Sequence, residues 1–205
     1  VIQYTYTTKE YVTHGIRIEY NALDMMVPER EQREGSEREN LLISEEIFDI
    51  SGNRTLGAER WHKLVNVYDD HANLLQTDYF DNNDQLILSS GGYASVIHQY
   101  DDKDRVIETA YYGIDGNLVK ILTGYAKVTF EYYPNSNRVH YERYFGADDQ
   151  RTMTTYGYSM SEYEYNGRNY DYRITYYDSV DEYTMCLNGY ARIEFLLYDN
   201  VHNIF

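Results

Sequence analysis

Tyr100-Asp101-Asp102-Lys103-Asp104-Arg105-Val106 is followed twelve residues later by Tyr112-Gly113-Ile114-Asp115-Gly116-Asn117-Leu118. Both stretches contain an aromatic residue, Asp or Gly, two variable positions, Gly or Asp, Arg or Asn, and an aliphatic residue. The same motif recurs, in alternating short and long steps, with its aromatic residue at Phe48, Tyr68, Phe80, Tyr133, Phe145, Tyr165, Tyr177 and Tyr198. One short and one long step together make a 32-residue period. The sequence therefore predicts a tandem repeat, and this repeat determines the fold class.

A second marker has the same period. Gly-Tyr followed by a small residue begins at Gly92, Gly124, Gly157 and Gly189, so it recurs with the same period in four successive copies. We expect these glycines to adopt positive φ at the return into the next copy, because glycine has no Cβ to clash there. Arg60-Trp61-His62 holds the same place earlier in the chain, so the single tryptophan is predicted to be a structural member of an aromatic column.

Each copy is predicted to contain only strands and turns. Residues 125–132 alternate and are rich in β-branched and aromatic side chains, which is typical of a half-buried strand. Asp, Asn and Gly then mark short turns, and connections this short join antiparallel neighbours. The predicted fold is all-β: tandem 32-residue repeats in a continuous antiparallel meander that curls or spirals, with almost no helix outside residues 25–46.

The whole chain, residues 1–205, is predicted to be one repeat array. Residues 1–24 are a degenerate first copy, residues 25–46 a charged insertion, and residues 47–205 the regular copies. The insertion has mixed charges and no apolar period, which suits a solvated loop, an extended hairpin tip or a short polar helix. Since the chain opens at Val1 without an initiator Met, we expect a processed chain or a piece of a longer one.

The composition of the chain excludes several classes of binding partner and site. With 18 basic and 34 acidic side chains the net charge is −16, which repels nucleic acid and anionic membrane surfaces. The sequence has no apolar run long enough to span a bilayer. Cys186 is the only cysteine, so no intrachain disulfide and no multi-cysteine metal site can form.

The chemistry-bearing residues do not predict an enzyme. The six histidines have no metal-ligand spacing, and the sequence contains no nucleophile elbow, phosphate loop or dinucleotide fingerprint. Calcium is the one cofactor that the turn tips suggest, through the hard oxygen ligands of Asp81, Asp84, Asp101 and Asp104. The alternative is that these residues only stabilise their own turns, which Asp and Asn do without an ion.

Adjacent aromatic pairs are the main candidate for binding. Each pair ends a predicted strand, so its two members point to opposite faces of the sheet. The first members form a column of tyrosines that beside carboxylates would make a sugar-binding surface: Tyr79, Tyr111, Tyr144 and Tyr176. The second members vary between Phe and Tyr, so we expect them to be the more buried column: Phe80, Tyr112, Phe145 and Tyr177. The alternative is that both columns pack and stack along the array.

The motifs at Tyr100–Val106 and Tyr112–Leu118 resemble the YD repeat of the rearrangement-hotspot and teneurin families. A looser likeness exists to the Tyr-rich repeats of cell-wall and choline-binding modules. The first resemblance implies a non-enzymatic β-repeat, extracellular or on the cell surface, that binds glycans or other proteins. We therefore expect a Tyr/Asp-rich surface for glycan or cell-surface binding. The alternative is a structural segment of a filament, sheath or toxin-enclosing shell that contacts other copies of itself and binds no small ligand.

Overall fold

The computed structural model describes residues 16–21, 41–165 and 171–195. These residues form eleven strands and no helix, which confirms the all-β prediction. The strands are β1 (Ile16–Asn21), β2 (Leu41–Ile47), β3 (Lys63–Tyr68), β4 (Leu74–Phe80), β5 (Ser95–Tyr100), β6 (Val106–Tyr112), β7 (Lys127–Tyr132), β8 (Val139–Phe145), β9 (Met160–Tyr165), β10 (Asp171–Tyr177) and β11 (Arg192–Glu194).

The strands follow their order in the chain in an antiparallel meander sheet. The chain forms two compact units, Val1–Ile97 and His98–Phe205, with the boundary inside β5. In the first unit β3 pairs with β4 through Leu64 opposite Tyr79. In the second unit β7 pairs with β8 through Val128 opposite Tyr144. Neighbouring strands in sequence are thus neighbours in space, as the short connections predicted.

Part of the predicted charged insertion is a strand. Residues 41–46 belong to β2, which pairs with β1 through partners such as Ile16 and Ile47. Residues 25–40 of the insertion lie outside the described residues, as do residues 1–15 of the degenerate first copy. Leu41, Leu42 and Ile43 open β2, and this apolar run is what adds it to the sheet.

The Asp of the repeated motif stabilises its own turn. Asp49 Oδ1 accepts hydrogen bonds from the backbone N–H groups of Ser51 and Asn53, at 2.8 and 2.9 Å. Asp69, Asp81, Asp101 and Asp178 do the same in their turns. Three residues after this Asp, the backbone adopts the left-handed conformation, as at Gly52 (φ 79°) and Asp84 (φ 58°). Asp tolerates this region better than most residues, which explains why Asp replaces the turn glycine.

Five longer connections, which we call return loops, share one design. They are residues 48–61, 80–93, 112–125, 145–158 and 177–190. In each loop the aromatic residue of the motif forms an isolated antiparallel bridge with the residue six positions later, as Tyr112 does with Leu118. A second turn follows, closed by a residue of positive φ. The predicted positive φ is confirmed at Gly124 (91°), Gly157 (89°) and Gly189 (84°).

The core is thin and consists largely of small side chains. Where the structure describes the chain, the buried apolar residues are Trp61, Ala94, Val96, Ala110, Ala126, Val128, Met160 and Cys186. Most other strand residues are only half-buried. Stability must therefore come from contacts between successive strands and loops rather than from one large core. No helix that could cross a membrane occurs in the described part of the chain.

Candidate functional site

The four candidate tyrosines lie at equivalent places near the ends of β4, β6, β8 and β10. Each is followed by a return loop whose second turn carries a further aromatic ring, at Tyr93, Tyr125, Tyr158 and Tyr190. The strand tyrosines and the loop tyrosines contact one another in alternation, and we call the resulting rows tyrosine ladders.

In the first unit the ladder contains three rings. Trp61 and Tyr79 have centroids 6.0 Å apart, and Tyr79 meets Tyr93 edge-on at 5.8 Å. Trp61 is 7 % exposed. The predicted place of the single tryptophan in an aromatic column is confirmed by this ring contact.

In the second unit the ladder contains six rings. Their consecutive centroid distances are 6.0, 4.9, 5.9, 4.5 and 6.1 Å, in the order Tyr111, Tyr125, Tyr144, Tyr158, Tyr176 and Tyr190. The planes are tilted or edge-on, which is the arrangement that aromatic quadrupoles favour. Each such contact stabilises by about 0.5–1.5 kcal/mol beyond area burial, so the ladder is a continuous packing element.

A carboxylate lies beside the centre of this ladder. Glu142 Oε2 accepts hydrogen bonds from the hydroxyls of Tyr144 and Tyr163, both at 2.9 Å. Burial, and then the negative charge of Glu142, raise the pKa of both phenols far above the usual value. Burial also raises the pKa of Tyr176, to about 12. These rings are held neutral and partly desolvated, and the hydroxyl of Tyr144 already has a protein acceptor.

The expected difference in burial between the two columns does not appear. Tyr79, Tyr111, Tyr144 and Tyr176 are all half-buried, and so are Phe80, Tyr112, Phe145 and Tyr177. Lys127 Nζ lies 4.9 Å from the ring centroid of Phe145, and the Tyr177 hydroxyl donates to Glu162. Both faces of the sheet are thus partly covered, because polar side chains cover the second column as rings cover the first.

Glu162 is the counterpart of Glu142 on the face of the second column. Its Oε1 accepts from the Tyr141 hydroxyl at 2.8 Å and lies 3.4 Å from His140 Nε2. Its Oε2 accepts from Tyr177. Burial raises the pKa of Glu162, but the hydroxyls of Tyr177 and Tyr141 and nearby His140 outweigh that effect, so the pKa is lowered. Cross-strand pairing places these side chains together, which is why sequence inspection missed both glutamates.

The candidate calcium residues are used within the protein. Asp81 accepts from the backbone N–H groups of Asn83 and Gln85, and Asp84 pairs with Arg54 at 2.6 Å. Arg105 binds the carboxylate of Asp101 and lowers its pKa to about 2. Asp104 has positive φ (59°) in the same turn. The described residues hold no group of three or more potential ligands suited to a metal ion.

Polar contacts between successive copies were also missed. Arg151 donates to Ser159 Oγ at 2.7 Å, directly after its own return loop, and reaches Asp178 O at 2.9 Å and Asp181 at 3.1 Å in the next loop. Three tyrosine hydroxyls reach back to a carbonyl of an earlier strand, from Tyr68 to Leu42, Tyr132 to Val106 and Tyr165 to Val139. The one available signal was the recurrence of Tyr at the last position of β3, β7 and β9.

The chain matches no family model, and comparison with curated proteins found no match. The likeness to YD repeats therefore depends on the motif residues alone and stays a prediction.

Proposed function

We propose that this protein is a non-enzymatic structural scaffold of the YD-repeat type, working outside the cell. In this proposal the repeat copies of the chain stack into a segment of a filament, sheath or enclosing shell, and the protein binds no small ligand. The observation that carries the proposal is the tyrosine ladder of the second unit. The rings of Tyr111, Tyr144 and Tyr176 contact other rings of the protein, so they are engaged in packing.

Contacts between copies support the same function. Arg151 links its return loop to the following loop, and Tyr132 and Tyr165 link their strands to the preceding hairpin. These bonds join each copy to its neighbours and fix its register. A chain built in this way gains stability with every added copy, which suits a load-bearing or enclosing role.

Glycan binding is the second candidate, and one observation favours it. Tyr156 and Tyr183 are 48 and 71 % exposed, and each continues an aromatic contact, with Tyr158 and Tyr177 respectively. An exposed ring supported from behind offers a flat apolar face to the C–H groups of a sugar. In this second proposal the binding residues are these two exposed rings, which lie outside the ladder, rather than the rings of the ladder itself.

Substituting Tyr144 with Ala separates the two functions. If the ring is a packing element, its loss costs about 2 kcal/mol or more of the free energy of unfolding. Tyr183→Ala is the matched control and changes stability by roughly 0.5 kcal/mol or less, because that ring is mostly exposed. Denaturant unfolding gives the energies, and a glycan array with the same variants gives binding. Specific sugar binding that Tyr183→Ala abolishes, with Tyr144→Ala as stable as the original protein, would overturn the scaffold proposal.

A further inference from the structure

Tyr156 connects the surface of the second unit to its tyrosine ladder. Tyr156 is 48 % exposed, and its ring stacks on that of Tyr158, with the centroids 6.3 Å apart and the planes 24° from parallel. Tyr158 in turn meets the ring of Tyr144 edge-on, at a centroid distance of 5.9 Å. Three consecutive aromatic rings therefore form a path from the protein surface to Tyr144.

The hydroxyl at the inner end of this path already has a proton acceptor. Tyr144 donates a hydrogen bond to Glu142 Oε2 at 2.9 Å, and Tyr163 donates to the same oxygen at 2.9 Å. The second phenol thus helps to hold the carboxylate against Tyr144. Burial, and then the charge of Glu142, raise the pKa of the Tyr144 phenol, so the proton stays on Tyr144 while its ring is reduced.

The rate at which a phenol is oxidised depends on where its proton goes. A tyrosine ring that loses an electron becomes a very strong acid at its hydroxyl, so oxidation is fastest when a base takes the proton in the same step. A carboxylate that is already hydrogen-bonded to the hydroxyl is such a base, because charge-assisted hydrogen bonds are short and well aligned. The contact between Tyr144 and Glu142 meets this requirement.

We infer that Tyr144 and Glu142 form a proton-coupled redox site that gives one electron to an oxidant at the exposed ring of Tyr156. The co-reactant is a one-electron oxidant in solution, such as an oxidised metal complex or an organic radical. The electron passes from Tyr144 through the rings of Tyr158 and Tyr156 to the oxidant, which is reduced. The O–H bond of Tyr144 breaks, its proton forms an O–H bond on Glu142, and a neutral tyrosyl radical remains.

This activity goes beyond the scaffold function, although it uses the same packing. The ring of Tyr144 lies between those of Tyr125 and Tyr158, at centroid distances of 4.9 and 5.9 Å. These neighbours shelter the radical from coupling with other molecules. An external one-electron donor then restores the phenol, because Glu142 returns the proton when Tyr144 regains the electron. The site therefore takes up a single oxidising equivalent without a lasting covalent change.

Flash photolysis with a ruthenium polypyridyl complex tests the site in the 205-residue protein. Light and a sacrificial electron acceptor convert the complex into a one-electron oxidant, and optical absorption and EPR follow the tyrosyl radical. Each protein is compared with its Tyr144→Phe counterpart, and the difference is the Tyr144 signal. We expect the original protein to form this signal at a rate that does not depend on buffer concentration, because the proton acceptor is part of the protein.

Glu142→Gln tests the proton acceptor. Glutamine still accepts a hydrogen bond but does not take the proton, so the Tyr144 signal should form several-fold more slowly, and faster as buffer is added. Glu162→Gln is the matched control, because Glu162 also accepts from two phenols, on the face of the second column. This control should leave the Tyr144 signal unchanged.

Tyr156→Leu tests the path by removing its exposed ring, and should reduce the Tyr144 signal several-fold. Tyr183→Leu, which removes another exposed tyrosine, is the matched control and should leave the signal unchanged. Circular dichroism confirms that each variant is folded. A Tyr144 signal that is absent from the original protein, or unchanged in Glu142→Gln or in Tyr156→Leu, overturns the inference. The scaffold proposal is judged separately, by the stability of Tyr144→Ala.

Discussion

Two return loops of the second unit share their backbone and differ in their surroundings. Residues 145–158 contact loop 177–190 at Gly157, whereas no heavy atom of the described residues, apart from the chain neighbours, lies within 4 Å of a Cβ placed on Gly189. Both glycines have almost the same φ, 89° and 84°. The local conformation of a return loop is therefore set by its own turn residues and does not depend on the loop that covers it. What the covering loop adds is packing.

The largest effect is expected at the two glycines. Gly189→Ala should cost about 1 kcal/mol of the free energy of unfolding, because alanine is strained at positive φ. Gly157→Ala should cost about 2–4 kcal/mol, because its Cβ would also press on Met185 O at 3.0 Å and displace the next loop. Urea unfolding of both variants gives the difference. Equal costs would mean that the loop contact adds nothing to stability.

Arg151 and Tyr183 hold the same place in the two loops. Arg151→Leu should cost about 2 kcal/mol, because Ser159 Oγ, Asp178 O and Asp181 each lose a donor. Tyr183→Leu should change stability by roughly 0.5 kcal/mol or less, since its ring is exposed. Leucine is a fair replacement because Leu118 stands at this place in loop 112–125. Thermal unfolding of the two variants checks the ranking, and a larger loss at Tyr183 would contradict it.

Tyr144 lies inside the ladder of the second unit, and the raised pKa of its phenol predicts a pH effect on stability. Its pKa is raised by burial and by Glu142, whereas in the unfolded chain it is about 10. The folded protein therefore keeps this proton where the unfolded chain releases it. The associated stability is fully present below pH 10 and is lost as the pH rises above that value. Tyr144→Phe should cost about 1 kcal/mol at neutral pH and make the alkaline loss shallower. Unfolding at neutral pH and above pH 10 measures both, and an unchanged pH dependence would remove Tyr144 as its source.

The smallest effect concerns Cys186, which is buried in the last loop. Its carbonyl carbon would lie 3.4 Å from a Cβ at Gly157. Thiol labelling under native conditions reports local opening of loop 177–190. We expect labelling to be several-fold faster in Gly157→Ala and nearly unchanged in Leu122→Ala, a substitution in another loop. Labelling that follows global stability in every variant would show that the loop does not open by itself.

The sequence was sufficient to predict what depends on local backbone chemistry. Turn residues at fixed offsets predicted short antiparallel connections, and a glycine before each Tyr predicted the positive φ of Gly124, Gly157 and Gly189. The left-handed Asp84 and Asp149 follow from the same reasoning once Asp is accepted in place of Gly. The strand in residues 41–46 was missed because the charged stretch before it dominated the pattern.

The surroundings of the candidate site could not be predicted from the sequence. Alternation places Tyr144 and Phe145 on opposite faces, but it does not say what covers each face. Tyr125 and Tyr158 cover one through the return loops, and Lys127 covers the other from the neighbouring strand. Such contacts depend on register and loop geometry, which the repeat period does not encode. The two columns do recur at equivalent strand positions, whereas the predicted difference in their burial does not appear.

The short reach of the contacts bears on how fast the protein folds. Tyr132 and Tyr165 bind carbonyls in the hairpin just before their own, and loops 145–158 and 177–190 each donate a backbone N–H to the loop that directly precedes them. Most all-β domains fold slowly, because their pairing strands are distant in sequence and the entropy of closing long loops comes first. Here each hairpin can form alone, and its outer strand can then pair with the next hairpin. We expect each unit to fold faster than a β-sandwich of the same length, by growth from whichever hairpin forms first.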